Sequence, residues 1–272
     1  MGYLSTDKKK ITTKTFAEMK AAGEKVTMLT AYDFTTAGIL DAAGIDSILI
    51  GDSASNVMAG NADTLPITVD QMIYHARSVA RACKHAFVVC DMPFGSYQIS
   101  KEEALRNACR MMKETGVDAL KLEGGVEIAD TVKAMVDAGI PVHGHLGLTP
   151  QSVNKFGGYG IRAKEEAEAQ KLISDAIALD KAGVFAIVLE KVPAKLAAEV
   201  TRQVKAVTIG IGAGNSCDGQ VLVYADALGM TQGFKPKFLR HFAHVGEEMQ
   251  KGVKAYIDAV KSTEYPSVEE SY

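Results

Sequence analysis

Ionisable residues recur at the ends of short apolar runs along this chain: Asp52 and Ser53 follow Ile48-Leu49-Ile50, Asp91 follows Phe87-Val88-Val89, and Glu190 follows Val188-Leu189. Lys121, Glu123 and His145 end two further runs. Asp52, Asp91 and Glu123 offer only oxygen ligands, which suits a hard cation such as magnesium rather than zinc and leaves positions for water or a chelating oxo acid. Lys121 and Glu123 are two residues apart, so an extended strand turns both side chains to one face, where they can address one ligand. A single aspartate after a strand is commonly a turn former or a helix cap. Several carboxylates with a lysine and a histidine around one mouth are costly unless they bind something or pair together, so a structural ion-pair network is the competing reading.

Two other strings invite chemistry. His143-Gly144-His145 has the i, i+2 spacing of a zinc pair, but a third nitrogen ligand is not evident nearby; the alternative is a buried His143 beneath a functional or hydrogen-bonding His145. Gly210-Ile211-Gly212-Ala213-Gly214 could cradle a phosphate, yet its spacing is neither G-x-G-x-x-G nor a P-loop, and a tight turn explains the glycines.

Positioning such residues needs a scaffold, and from residue 26 onward β-branched runs alternate with helical patterns, the mark of βαβ units around a parallel sheet. Strands are expected near Val26 to Thr30, Ser47 to Gly51, Ala86 to Cys90, Ala119 to Leu122, Pro141 to His145, Ala186 to Leu189, Val207 to Ile211 and Val221 to Ala225. Helical stretches are expected at Thr68 to Cys83, Lys101 to Thr115 (opened by a Ser100/Glu103 capping box), Glu127 to Ala138 and Ala163 to Lys181. Eight runs imply a closed (β/α)8 TIM barrel, in which catalytic groups gather at the C-terminal strand ends. The expected variations are an N-terminal helix, Phe16 to Ala22, that plugs the floor, a seventh helix shortened to about a turn because so few residues separate the last two strands, and a long final helix from about Pro236 to Val260.

The 272 residues suit a single barrel domain, with flexible ends at about 1–13 and 264–272. Hydrophobic residues make up 47%, charged residues 23%, and the formal net charge is −3, so there is no basic surplus for nucleic acid. No apolar run is long enough for a membrane span, and Cys83, Cys90, Cys109 and Cys217 form no C-x-x-C, which points to a reducing cytoplasm. Met1, Gly2 and Thr6 satisfy a short myristoylation pattern that reads as a chance match.

The strings Leu29-Thr30-Ala31-Tyr32-Asp33, Gly51-Asp52-Ser53, Asp91-Met92-Pro93-Phe94-Gly95-Ser96-Tyr97, Lys121-Leu122-Glu123-Gly124-Gly125, GHLGLTPQ from Gly144 and Val188-Leu189-Glu190 together resemble the ketopantoate hydroxymethyltransferases over residues 14–262. That resemblance implies hydroxymethyl transfer from 5,10-methylenetetrahydrofolate to 3-methyl-2-oxobutanoate through a magnesium-stabilised enolate, giving 2-dehydropantoate for pantothenate synthesis, in a homodecamer. By position it implies Asp52, Asp91 and Glu123 as magnesium ligands, Asp52, Ser53, Asp91 and Lys121 as oxo-acid contacts, Glu190 as proton acceptor and His145 as hydrogen-bond donor. The chain departs from the family pattern at Ala54-Ser55-Asn56, where the family has Leu-Gly-Met; Ser55 lacks a glycine's freedom at positive φ. A related magnesium-dependent enolate lyase is the alternative, but such barrels carry a K-[KR]-C-G-H-type loop that is missing here. A non-catalytic metal-binding barrel is a second alternative, against which the presence of both Lys121 and Glu190 argues.

Overall fold

The computed structural model describes residues 9–231, 233 and 235–272; the myristoylation pattern and the first eight residues of the leading segment lie outside the described residues. Eight parallel strands, β1 (Val26–Thr30), β2 (Ser47–Ile50), β3 (Phe87–Asp91), β4 (Ala119–Glu123), β5 (Val142–Gly147), β6 (Ala186–Glu190), β7 (Val207–Ile211) and β8 (Gly219–Leu222), pair in sequence order and close into a barrel. The helices are α1 (Thr13–Ala22), α2 (Phe34–Ala43), α3 (Ala54–Val57), α4 (Val69–Ala82), α5 (Lys101–Thr115), α6 (Ala129–Asp137), α7 (Val153–Phe156), α8 (Glu166–Ala182), α9 (Ala194–Gln203), α10 (Tyr224–Ala227) and α11 (Val245–Lys261). One compact unit runs to Leu222, and Val223–Tyr272 forms a second.

The expected barrel is present, with three corrections. Residues 212–218 hold no helical turn, so the seventh helix is missing rather than shortened; Gly212 (φ 63) and Gly214 (φ 82) turn the chain directly into β8, in keeping with the tight-turn reading of these glycines. The last strand starts two residues earlier than expected and ends three earlier, because Val26 pairs with Gly219 and closure fixes the register. The final helix starts at Val245 instead of near Pro236: the N–H groups of Phe242 and Val245 donate to the carbonyls of Ala227 (2.8 Å) and Leu228 (2.9 Å), which holds that segment out of a helix.

Helix starts follow local chemistry. Thr68 and Gln71 form a complete capping box on α4, and the Thr12 hydroxyl caps α1, so the leading helix begins three residues before Phe16. Ser100 accepts from the Glu103 N–H (3.1 Å), which makes it a one-sided cap of α5, not the reciprocal box expected. As expected, α1 plugs the floor: Phe16 is fully buried, its ring lies 5.4 Å from those of Phe87 and Phe185, and Lys20 donates to the Ala206 carbonyl (2.7 Å) and pairs with Asp218 (2.9 Å).

Candidate active site

Strand periodicity builds the site. Side chains two apart share a face, so Phe87-Val89-Asp91 on β3, Ala119-Lys121-Glu123 on β4, His143-His145 on β5 and Ala186-Val188-Glu190 on β6 are parallel files. The apolar members form the core with Phe16 and Met19 at the N-terminal end. Each file ends in an ionisable group at the C-terminal end, and neighbouring files stand side by side because Lys121 pairs with Asp91 and His143, Glu123 with His145, and Gly147 with Glu190. Gly147 has φ 88, and a Cβ there would lie 2.3 Å from the Glu190 carbonyl, so only glycine lets β5 approach β6 at this level. Lys191, directly after Glu190, holds a left-handed φ of 47, fixed by its N–H to the Ile211 carbonyl (2.9 Å) and its carbonyl to the Arg162 N–H (2.8 Å).

The resulting cluster is tight and buried. Asp52, Asp91, Lys121, Glu123 and His145 are all buried, while the Glu190 side chain keeps 16% of its surface. Lys121 Nζ meets Asp91 Oδ1 at 2.9 Å as an ion pair, off the ideal hydrogen-bond direction. His145 Nδ1 lies 3.2 Å from Glu123 Oε1, and its Nε2 lies 3.3 Å from Glu190 Oε2. Burial and Lys121 oppose a charge on this imidazole, but Glu123 and Glu190 outweigh them and raise its pKa to about 9, so Nδ1 carries a proton toward Glu123. Lys121 Nζ also lies 3.3 Å from Nδ1, so lysine, histidine and carboxylates form one contiguous cluster. Burial likewise works against the Lys121 ammonium, and Asp91, Glu123 and Asp52 hold it charged nonetheless. Burial pushes the Asp52 carboxyl up to about 8, helped by repulsion from Asp91 and Glu123, and burial raises Asp91 too.

Residues that sequence reasoning gave no role hold these groups. The Asp52 N–H donates to Asp91 Oδ2 (3.0 Å). Gln151, on the turn Pro150–Ser152 after β5, donates its N–H to Glu123 Oε2 and its side-chain amide to Asp52 Oδ2, both at 2.9 Å. Tyr97 accepts from the Glu123 N–H (3.1 Å) and reaches Gln151 Oε1 (2.7 Å), and Tyr32 meets Ser53 Oγ at 2.7 Å. Only the strings containing these three residues were visible in the sequence, not their contacts. Ser55 sits in the α3 turn and is absent from the positive-φ residues, so the glycine of the family pattern is not needed there; its hydroxyl donates to the Asp63 carbonyl (2.7 Å). His143 is fully buried with both ring nitrogens unpartnered, and burial, Lys121 and His145 hold it neutral, the buried member of the pair as expected.

The donor set suits a divalent cation in charge and chemistry. Four carboxyl groups, Asp52, Asp91, Glu123 and Glu190, stand against one lysine and one histidine, so the donors on offer are mostly oxygen and the repulsion among them is of the kind a divalent cation relieves. Among the described residues no three carboxylate, imidazole or thiol groups already converge as a metal cage; Asp91 and Glu123 face Lys121 and His145 instead. Also among the described residues, no helix is long and apolar enough to cross a membrane.

The sequence profile of the ketopantoate hydroxymethyltransferases matches residues 10–268. A 3-methyl-2-oxobutanoate hydroxymethyltransferase of Christiangramia forsetii is 60% identical over 272 residues, with full coverage of both chains. Another, of Phocaeicola vulgatus, is 59% identical over 271 residues, covering 100% of this chain and 99% of its own. Among solved structures, a phosphonopyruvate hydrolase superposes with a TM-score of 0.61 at 11% identity, covering 96% of this chain and 93% of its own, a likeness of fold alone.

Proposed function

The chain belongs to the ketopantoate hydroxymethyltransferase family, and from that membership we propose that it transfers a hydroxymethyl group from 5,10-methylenetetrahydrofolate to 3-methyl-2-oxobutanoate, giving 2-dehydropantoate for pantothenate synthesis. The observation that carries the detailed reading is the buried cluster of three carboxylates and Lys121, with Glu190 at its more open edge.

Asp52, Asp91 and Glu123 would hold magnesium, which supplies a Lewis acid for a chelated oxo acid. Lys121 binds the anionic substrate and offsets negative charge that develops on its 2-oxo oxygen, buried deeply enough for one charge to count heavily. Ser53, its hydroxyl oriented by Tyr32, supplies a hydrogen bond to the same anion. Glu190 accepts the proton from C3. His145, its Nε2 3.3 Å from Glu190 Oε2, aims that carboxylate. C3 then bonds to the folate-borne one-carbon unit, whose two carbon–nitrogen bonds to the folate break; a water molecule supplies the hydroxyl oxygen, and tetrahydrofolate leaves with the protons on its nitrogens. The working assembly is a homodecamer, for which a light-scattering mass of ten chains is the test.

The test of the reaction has two arms. With magnesium and the oxo acid alone, the C3 proton should exchange for deuterium by NMR, and adding methylenetetrahydrofolate should yield 2-dehydropantoate by mass spectrometry. A folded protein that gives neither is not this enzyme; exchange without product would retain the proton abstraction and overturn the assignment of the one-carbon donor.

A further inference from the structure

We propose that Gln151 is the positioning residue that spaces Asp52 and Glu123 for a divalent cation, with Tyr97 as the lock on its amide; this rests on the metal reading of those carboxylates. Gln151 is buried and touches two of the three carboxylates at once, through different groups: its backbone N–H holds Glu123 Oε2 and its side-chain Nε2 holds Asp52 Oδ2, both at 2.9 Å. Those carboxylates come from different strand ends, β2 and β4, and Gln151 comes from the turn after β5. A single residue therefore ties three βα loops together at the ligands.

The amide orientation follows from its partners. Nε2 also donates to the Met92 carbonyl (3.0 Å), while Oε1 accepts from the Tyr97 hydroxyl (2.7 Å) and from Gln98 Nε2 (3.1 Å). Turned over, the amide would set its oxygen against the Asp52 carboxylate and the Met92 carbonyl, acceptor against acceptor twice. Tyr97 has no freedom to leave, since its oxygen also accepts the Glu123 N–H at 3.1 Å, and it is buried. Each carboxylate thus has one oxygen fixed by an N–H: Asp52 Oδ2 and Glu123 Oε2 by Gln151, and Asp91 Oδ2 by the Asp52 backbone (3.0 Å). The opposite oxygens of Asp91 and Glu123 face Lys121 and His145. Gln151 so fixes the spacing of two carboxyl groups that come from different strand ends.

The experiment titrates Mn2+ by the EPR signal of the free ion against the full-length wild type and the variants Gln151→Met, Tyr97→Phe and Asp52→Asn, with folding followed by circular dichroism and melting without metal. Gln151→Met keeps the volume and loses the side-chain amide, so Mn2+ affinity should fall about 10- to 100-fold, the usual effect of losing a group that orients a metal ligand. Tyr97→Phe removes the hydroxyl that meets both Gln151 Oε1 and the Glu123 backbone and should weaken Mn2+ about 3- to 10-fold. A folded Gln151→Met with wild-type affinity overturns the proposal; if that variant does not fold, an unchanged affinity in Tyr97→Phe overturns it. A wild type that binds no Mn2+, or an Asp52→Asn that binds it as the wild type does, overturns the underlying metal reading and the proposal with it. Loss in Asp52→Asn with no loss in Gln151→Met sinks only the positioning role.

Discussion

Replacing Glu190 with glutamine isolates the proton-transfer step. Glu190 is the last residue of β6, its carbonyl accepts the Leu148 N–H at 2.8 Å, and its backbone is paired with both neighbouring strands, so an isosteric side chain keeps its place. The carboxamide removes one carboxylate from the His145 imidazolium and leaves the other, Glu123, at 3.2 Å. Stability should move by about 1 kcal/mol or less, since the lost contact is partly open to solvent. The chemical effect should be far larger, because an amide cannot accept the C3 proton: a positioned base contributes about 10²- to 10⁴-fold. At about 1.4 kcal/mol per decade that is about 3–6 kcal/mol of barrier. The assay is deuterium exchange at C3 of 3-methyl-2-oxobutanoate by NMR, with magnesium and without folate. The expected result is exchange slowed at least about 100-fold while oxo-acid affinity moves less than about 3-fold. Exchange near the wild-type rate would move the base to another residue and refute the argument from position.

Three further perturbations probe the scaffold. Asp41 accepts the N–H groups of Lys84, His85 and Ala86 at 2.7–3.0 Å; burial opposes its ionisation, but these bonds win and hold its pKa below the usual aspartate value. Asp41→Asn should cost about 2 kcal/mol in urea unfolding at neutral pH. Because the folded pKa is depressed, that difference should be full well above the unfolded value of about 3.9 and shrink as pH falls through the folded one; a gap that grows in acid would contradict it. Gly147→Ala would place a Cβ 2.3 Å from the Glu190 carbonyl at φ 88, so it should lower stability by at least about 2 kcal/mol and slow C3 exchange together; an unchanged melting curve would remove the close-approach argument. Ser55→Gly restores the family residue but loses hydrogen bonds to the Asp63 carbonyl (2.7 Å) and from Asn61 (3.1 Å), so it should destabilise by about 1–2 kcal/mol; a gain in melting temperature would show that the glycine was preferred there after all.

The strands and their chemistry were legible in the sequence because both are local. A period of two sends Ala119, Lys121 and Glu123 to one face wherever the strand lies, and continuous apolar runs mark strands covered on both faces. Seven of the eight strands lie close to their expected bounds for that reason. Gly219 and Gln220 carry no apolar signal, so only pairing with β1 and β7 could place the eighth. The start of α11 was hidden in the same way, since carbonyls of Ala227 and Leu228 decide where its helical bonding can begin. Within the site, the sequence named the ionisable residues but not their partners. The proton on His145 depends on Glu123 and Glu190 from the flanking strands, and the double contact of Gln151 depends on carboxylates 28 and 99 positions away. Residue type and spacing along a strand are fixed by the chain, whereas charge state and hydrogen-bond partners follow from distances across the barrel, which only its closure sets.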